Sequence, residues 1–472
     1  MNAAISRNIA GKSVLVVGLG KSGFAAAHLA LKVGASVTLY DDKPASAFDA
    51  SRLSELVQLG AKTACGASGD ERDRLFSGAE LLIVSPGFPL ARPEIALARK
   101  SGAHVIGETE FAGWFLPSET VVIGISGTNG KSTVTALTGR LCEETGKKVF
   151  TGGNLGDPLS HAALRALGGE KFDFAVVELS SFMLEGIETF HPRVSCLTNL
   201  TPDHIDRYAN HAAYGAAKKR VFMNQTASDF GVVNARDEGV MGLIEGEKCR
   251  RFTFGFGPEA EDGARFEDGT IRVRIGEERE EYRLANINLR GPHNAENAMA
   301  AVLCARLAGV DAASVQKGLD SYPGLHHRME SVGHIGGVEF INDSKATNVD
   351  STLVALRSFD RGLLLIAGGR GKGMPYTPMV ELAPGRIRAV FTIGEDAPLI
   401  RAAFEKVIPV IDCGDLETAM RRAFDMAEDG DKVLLSPACA SYDQFKNFEV
   451  RGEVFGEIFR RLKAESEAAH GN

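Results

Sequence analysis

What this chain lacks narrows its nature first. No apolar stretch approaches the ~18 residues that a membrane-spanning helix needs, so no helical membrane span is expected. The N-terminus lacks the layout of a signal peptide, because its first apolar run, Val14 to Val17, leads straight into a glycine turn. Seven cysteines, at positions 65, 142, 196, 249, 304, 413 and 439, form no C-x-x-C pair. An odd, scattered set of this kind reads as reduced structural thiols and points to a cytoplasmic protein. No repeat period and no low-complexity tract interrupts the chain. A surplus of positive charge is also missing: the net charge is −8, with both signs mixed along the sequence. That argues against a broad nucleic-acid face while leaving room for a local basic pocket.

What is present is an ordinary globular composition, 44% hydrophobic and 24% charged. At 472 residues, and with roughly 100–200 residues per domain, three domains are expected. The segment 1–117 alternates apolar runs with helical patterns: SVLVVGLGKSG, ASVTLYDD and ELLIVSPG each read as a strand followed by a turn. The segment 118–323 repeats this with FAVVELSS and VSCLTNL, then changes between Arg251 and Leu289 to short alternating strands with turn signals at Asp262-Gly263 and Asp268-Gly269. The segment 324–472 offers four more strands, VEFIND, LLLIAGG, AVFTIG and KVLLSPA. The fold expected is α/β throughout: a Rossmann-like first domain, a central P-loop domain with a small antiparallel excursion, and a Rossmann-like third domain.

The chemistry concentrates in loops after strands. ISGTNGKSTVTAL, from Ile125 to Leu137, places Gly127, Thr128, Asn129, Gly130, Lys131, Ser132 and Thr133 between a strand and a helix. Glycines permit close backbone approach, N–H groups face an anion, a lysine neutralises outer phosphates and a hydroxyl ligates magnesium. Ile125 stands where the common G-x-x-x-x-G-K-[ST] pattern has its first glycine. Gly18-x-Gly20-x-x-Gly23, followed by Asp41 and Asp42 at the next strand end, matches a dinucleotide fingerprint. Taken alone, that would suggest an NAD-dependent oxidoreductase. Glu178 occupies a strand end where a carboxylate can hold magnesium, and TPDHIDRY packs Asp203, His204 and Asp206 into one loop. Lys218, in AAKKR, reads by default as part of a solvated basic face. His326 and His327 diverge as neighbours and make a poor metal pair, so Arg328 is the better phosphate contact. Cys439 has no supporting histidine motif and reads as packing.

Together, GTNGKST, ELSSF, TNLTPDHIDRY, GPHNAEN, HRME, NDSKATN and SPACASYDQFKNFEVRG resemble, in order and over almost the whole chain, the Mur ligases of bacterial cell-wall synthesis. NDSKATN and the last motif look most like the branch that adds D-glutamate. The resemblance implies an ATP-driven amide bond between UDP-MurNAc-L-alanine and D-glutamate, through an acyl phosphate. A sibling ligase adding another amino acid, such as L-glutamate, is the alternative within the family. The implied cofactors are ATP and two magnesium ions. The implied partners are small molecules only, with no nucleic acid and no membrane, and the protein is expected to be a monomer.

Residue by residue, the resemblance puts Lys131 on the β/γ-phosphates and gives catalytic roles to Lys131, Glu178, His204 and Lys218. Ser132 and Glu178 would hold one metal and His204 a second. Lys218 matches a lysine that the family carries as a carbamate, a metal-binding anion. Asn297, Arg328, Asp343 and Lys345 would contact ATP beside the Gly127–Thr133 loop. Thr347, Lys372, Ser441 and Phe448 would receive D-glutamate. Leu19, Asp41, Asp42, Ser85 and Gly87 would line the UDP pocket, with Asn154 and His204 reaching the rest of that substrate. Three departures stand out: Met183 where glutamine is expected, Arg370 where an acidic residue can occur, and Asp42 facing a uridine.

Overall fold

The computed structural model describes residues 8–203, 207–256, 262–286, 289 and 291–470. The described residues form three sheets. The first contains β1 (Ser13–Val17), β2 (Ser36–Tyr40), β3 (Lys62–Thr63), β4 (Leu81–Val84) and β5 (His104–Gly107). Its order is β3-β2-β1-β4-β5, with every pair parallel. Val14 to Val17 are buried without alternation, as expected of a parallel strand covered by helices on both faces. The strand order reverses between β1 and β4, which opens a crevice at their carboxyl ends. Gly23 lets the helix Lys21–Lys32 lie tight on the turn, since a Cβ there would sit 1.9 Å from the Gly18 carbonyl oxygen.

The second sheet has nine strands: β6 (Val121–Ser126), β7 (Val149–Gly153), β8 (Phe174–Glu178), β9 (Val194–Leu197), β10 (Phe230–Asn234), β11 (Arg250–Gly255), β12 (Gly263–Glu267), β13 (Thr270–Ile275) and β14 (Glu278–Arg283). Their order is β14-β13-β12-β11-β10-β9-β6-β8-β7. The antiparallel pairing expected after Arg251 is found for β12 to β14, which extend the main sheet. β11 and β12 are themselves parallel to their inner neighbours. Asp268-Gly269 does make the hairpin turn, both residues having positive φ (48° and 75°), the geometry that suits strand twist. Asp262-Gly263 instead opens β12, where only a glycine fits: a Cβ on Gly263 would meet the Thr253 carbonyl oxygen at 1.9 Å.

The third sheet contains β15 (Glu330–Ile335), β16 (Val338–Asn342), β17 (Leu363–Gly368), β18 (Ile387–Ile393), β19 (Val410–Gly414) and β20 (Lys432–Leu435), in the order β15-β16-β20-β17-β18-β19. The four expected strands are β16, β17, β18 and β20. The sequence reading misses β15 and β19, the two edge strands, whose residues are mostly half-exposed and carry no apolar run.

The chain forms two compact units, one of residues Met1–Leu284 with Glu296–Asp320, the other of Ala285–Ala295 with Ser321–Asn472. The first unit holds two sheets because they share a core, with the helix Lys21–Lys32 packed on the helix Leu159–Leu167. Two buried carboxylates fasten the same junction. Glu108 accepts the Ser160 N–H at 2.7 Å. Glu110 accepts the N–H groups of Glu188, Thr189 and Phe190 at 2.8 to 2.9 Å and the Trp114 indole at 2.8 Å. All seven cysteines are free thiols. Among the described residues no helix is long and apolar enough to cross a membrane.

Candidate active site

β6 delivers the chain to a loop built from two backbone conformations that side chains disfavour. Gly127 has φ 141° and Gly130 φ 85°, and the helix Lys131–Glu143 follows at once. Space matters as much as angle: a Cβ on Gly127 would sit 1.9 Å from Thr198 Oγ1, and one on Gly130 2.3 Å from Asn297 Oδ1. The stretch after β9 clamps the loop from below. The Thr128 N–H donates to the Asn199 carbonyl (3.0 Å) and the Asn129 N–H to Asn199 Oδ1 (2.8 Å). Thr198 Oγ1 and Asn199 Nδ2 donate to the Asn129 carbonyl at 2.6 and 3.0 Å. Lys131 curls back so that its Nζ donates to the Thr128 carbonyl at 2.7 Å. Ser132 and Thr133 are buried in the first helical turn. The result is a rigid cradle at a helix N-terminus, suited to phosphate.

Beside the cradle stand two buried groups of unusual character. Glu178 ends β8 directly opposite Ile125 of β6 and is 1% exposed. Its Oε1 accepts from Asn154 Nδ2 at 2.7 Å, whereas its Oε2 is buried with no hydrogen-bond partner among the described residues. Lys218, on the helix His211–Lys219, is also 1% exposed. Its Nζ donates to the Gly127 carbonyl at 2.5 Å and lies 4.6 Å over the Tyr214 ring. Burial, and then the nearby Lys131, push this amine well below its ordinary range, against the opposing pull of Asp203 and Glu178. The default reading of Lys218 as a solvated charge is therefore wrong for Lys218 and right for its neighbour, since Lys219 reaches out to Glu247 at 3.0 Å. His204 and Asp206 lie outside the described residues. Among the described residues no group of three or more His, Cys, Asp or Glu side chains is placed to hold a metal.

At the crevice of the first sheet, Asp41 is occupied by the backbone. Its carboxylate accepts the Leu19 N–H (2.8 Å) and the Lys43 N–H (3.0 Å), fixing the glycine turn. Ser85 Oγ donates to the Gly18 carbonyl at 2.6 Å, tying β4 to the same turn, with exposed Gly87 just beyond. Asp42 is paired with Arg92 and accepts from the Tyr40 hydroxyl at 2.9 Å. Burial alone would raise its pKa, but these partners hold it below the usual carboxylate range. Arg92 in turn lies 4.4 Å over the Phe88 ring. Met183 is buried in the apolar core, so the expected polar group there is replaced by packing.

In the second unit the expected residues follow β16, β17 and β20. Asp343 is 4% exposed; it accepts from Ser436 Oγ at 2.8 Å and from the Met329 N–H at 3.2 Å. Burial pushes its pKa up to about 6, opposed by Arg328. Arg328 sits between two residues with positive φ, His327 (62°) and Met329 (49°), and the His327 carbonyl accepts the Lys345 N–H at 2.9 Å. Lys345 Nζ lies 5.8 Å over the Phe448 ring. Thr347 is half-buried, Ser441 buried and Lys372 exposed. Sequence reasoning missed Arg451. It is 1% exposed and donates to Ser344 Oγ (2.9 Å), the Ser344 carbonyl (2.8 Å) and the Cys439 carbonyl (3.2 Å). Its arginine in FEVRG was the only available signal. Cys439 is fully buried beside the Tyr376 hydroxyl at 3.1 Å.

Three family models match the chain in succession: the Mur ligase MurD-like N-terminal domain over residues 12–107, the Mur ligase middle domain over 125–305, and the Mur ligase glutamate ligase domain over 327–439. The UDP-N-acetylmuramoylalanine–D-glutamate ligase of Myxococcus xanthus is 51% identical over 96% of this chain and 99% of its own. The protein of the same name from Anaeromyxobacter dehalogenans is 50% identical over 96% and 98%. Among solved structures, the UDP-N-acetylmuramate–alanine ligase of Thermotoga maritima superposes with a TM-score of 0.60 at 20% identity, over 96% of this chain and 100% of its own. A likeness at that identity speaks for the fold.

Proposed function

The chain belongs to the Mur ligase family, and we propose that it joins D-glutamate to UDP-N-acetylmuramoyl-L-alanine with conversion of ATP to ADP and phosphate. The observation that carries this reading is the pairing of a phosphate cradle with two buried, ligand-seeking groups, Lys218 and the unpartnered Oε2 of Glu178. A carboxylate is a poor electrophile. Its attack on the γ-phosphorus displaces ADP and gives an acyl phosphate; the amine of D-glutamate then attacks the carbonyl, loses a proton and expels phosphate. Catalysis of such a sequence is mainly positioning and charge neutralisation.

Each residue's part follows from its surroundings. The N–H groups where the loop enters the helix Lys131–Glu143 and the Lys131 ammonium hold the phosphates of ATP, while the Thr128 and Asn129 N–H groups stay on Asn199. The Ser132 hydroxyl and Glu178 Oε2 would hold magnesium, and the fit is supported by the buried oxygen that no donor among the described residues reaches. When bound, the ion neutralises phosphate oxygens and lowers the charge that the attacking carboxylate must face. A free ammonium at Lys218 would sit, buried, next to that of Lys131. A neutral amine there can add carbon dioxide to give a carbamate, releasing a proton and turning a repulsive cation into an anion. That supports Lys218 as a carbamylated metal ligand, with His204 beside it in the assignment. Leu19, Ser85, Gly87 and Asn154 would receive the UDP substrate; Asp42 is engaged by Arg92, which it shares with the buried Glu94. Lys345 and Arg328 are assigned to ATP, and Thr347, Lys372, Ser441 and Phe448 to D-glutamate.

The oxidoreductase reading is set against the family match, and its acidic residue, Asp41, is already engaged by two backbone N–H groups. The decisive assay supplies ATP, magnesium and UDP-N-acetylmuramoyl-L-alanine with one amino acid at a time. Phosphate release is expected with D-glutamate; release with L-glutamate or another amino acid alone would move the protein to a sibling activity, and none with any would refute the ligase.

A further inference from the structure

Three loops leave the carboxyl ends of β17, β18 and β20, and the chain fuses them at one sheet edge. Arg370 and Ala440 exchange backbone hydrogen bonds in both directions, at 2.8 and 2.9 Å. The Asp396 N–H donates to the Gly369 carbonyl at 2.9 Å. Three carboxylates gather there: Glu395, Asp396 and Asp443. The Asp396 side chain lies against the Gly371 backbone, where a Cβ would be 1.9 Å from Oδ2, and accepts the Tyr376 hydroxyl at 2.7 Å. Asp443 Oδ2 accepts the Glu395 N–H at 3.0 Å. Glu395 is gripped by Arg370 through two parallel bonds, Nε at 2.9 Å and Nη2 at 2.7 Å. Two residues beyond Arg370 stands Lys372, for which no ion pair is found among the described residues.

This arrangement answers the departure noted at Arg370. An acidic amino acid with two carboxylates is repelled by an edge carrying three more, opposed by the buried Arg451 near Asp443 and by the exposed Lys372. Arg370 is about half exposed, as is Glu395 (54% and 52%), and an exposed pair of this kind contributes little to folding. Its bidentate geometry instead fixes direction: it turns the Glu395 charge onto a guanidinium and anchors the Gly371-Lys372-Gly373 stretch at its start. We infer that Arg370 is a positioning residue for acidic amino-acid specificity, holding Glu395 away from the incoming substrate and presenting Lys372 to it. The inference rests on the assignment of Lys372 to the amino-acid site.

The test is steady-state kinetics of the full-length protein and of R370Q, R370E, E395R and the charge-swapped R370E/E395R, with each substrate varied in turn. R370Q should raise the KM for D-glutamate about fivefold, and R370E about tenfold or more, because it adds a like charge. The KM values for ATP and the nucleotide substrate should stay within about twofold. The charge swap should restore the D-glutamate KM to within about threefold of wild type. An unchanged D-glutamate KM in R370E, an equal rise for all three substrates, or a swap no better than R370E overturns the inference while wild-type turnover leaves the ligase reading intact. A wild type that does not turn over D-glutamate refutes that reading instead, and the inference falls with it.

Discussion

The phosphate cradle and the loops after β17, β18 and β20 solve opposite problems. The cradle is made of backbone, with glycines at φ 141° and 85°, N–H groups held by Asn199 and the Asn129 carbonyl held by Thr198. Around it the side chains are left wanting: a carboxylate oxygen without a donor among the described residues and a lysine buried near another lysine. The loops of the second unit are made of side chains that satisfy each other. Arg451 saturates two carbonyls and a hydroxyl, Arg370 takes Glu395, and Tyr376 takes Asp396. The first arrangement stores unfavourable electrostatics; the second uses polar contacts as scaffold.

That contrast can be broken by exchanging the roles of activity and stability. The largest expected effect is on catalysis: Lys218→Met, which keeps bulk and removes the amine, should lower turnover by a factor of about 10²–10³ or more. The melting temperature should hold or rise, because a buried amine that folding must desolvate is gone. A variant that unfolds, or one that keeps wild-type turnover, would show that Lys218 is scaffold. Next in size is Arg451→Met, expected to cost about 3 kcal/mol of stability in denaturant titrations by orphaning the Ser344 and Cys439 carbonyls. No loss would mean the loops of the second unit stand without it.

The smallest effect is pH-dependent and concerns Asp343. Its folded pKa is raised to about 6, above that of an unfolded aspartate, so the folded state binds the extra proton in between. The stability this protonation provides is full below about pH 4 and is lost as pH rises through about 6. Asp343→Asn cannot titrate, and its unfolding free energy in denaturant titrations should gain on wild type as pH rises from 4 to 7, by on the order of 2 kcal/mol. A constant difference across that range would mean that Ser436 and Arg328 already compensate the buried charge.

How much of this was legible in the sequence tracks the same divide. The strands with uninterrupted apolar runs, such as Val14–Val17 and Leu363–Ile366, could be read because burial on both faces demands such runs. Edge strands β15 and β19 could not, since a strand with one open side has no such requirement. Gly127, Gly130 and Lys131 were readable as a phosphate loop because that function lives in backbone geometry that few residues permit. Lys218 was misread by pattern alone, and only resemblance singled it out. A lysine's spacing on a helix says nothing about which helix face is covered.

The sequence by itself determined the α/β class, the phosphate loop and the family, because glycine spacing, apolar runs and ordered motifs are local facts. Tertiary structure alone decided which charges are paired. Asp41 went to the backbone of Leu19 and Lys43, Asp42 to Arg92, Arg370 to Glu395, and one Glu178 oxygen was left without a donor among the described residues. Electrostatic energy depends on distance and desolvation between residues far apart in the chain, and neither is written in the order of amino acids.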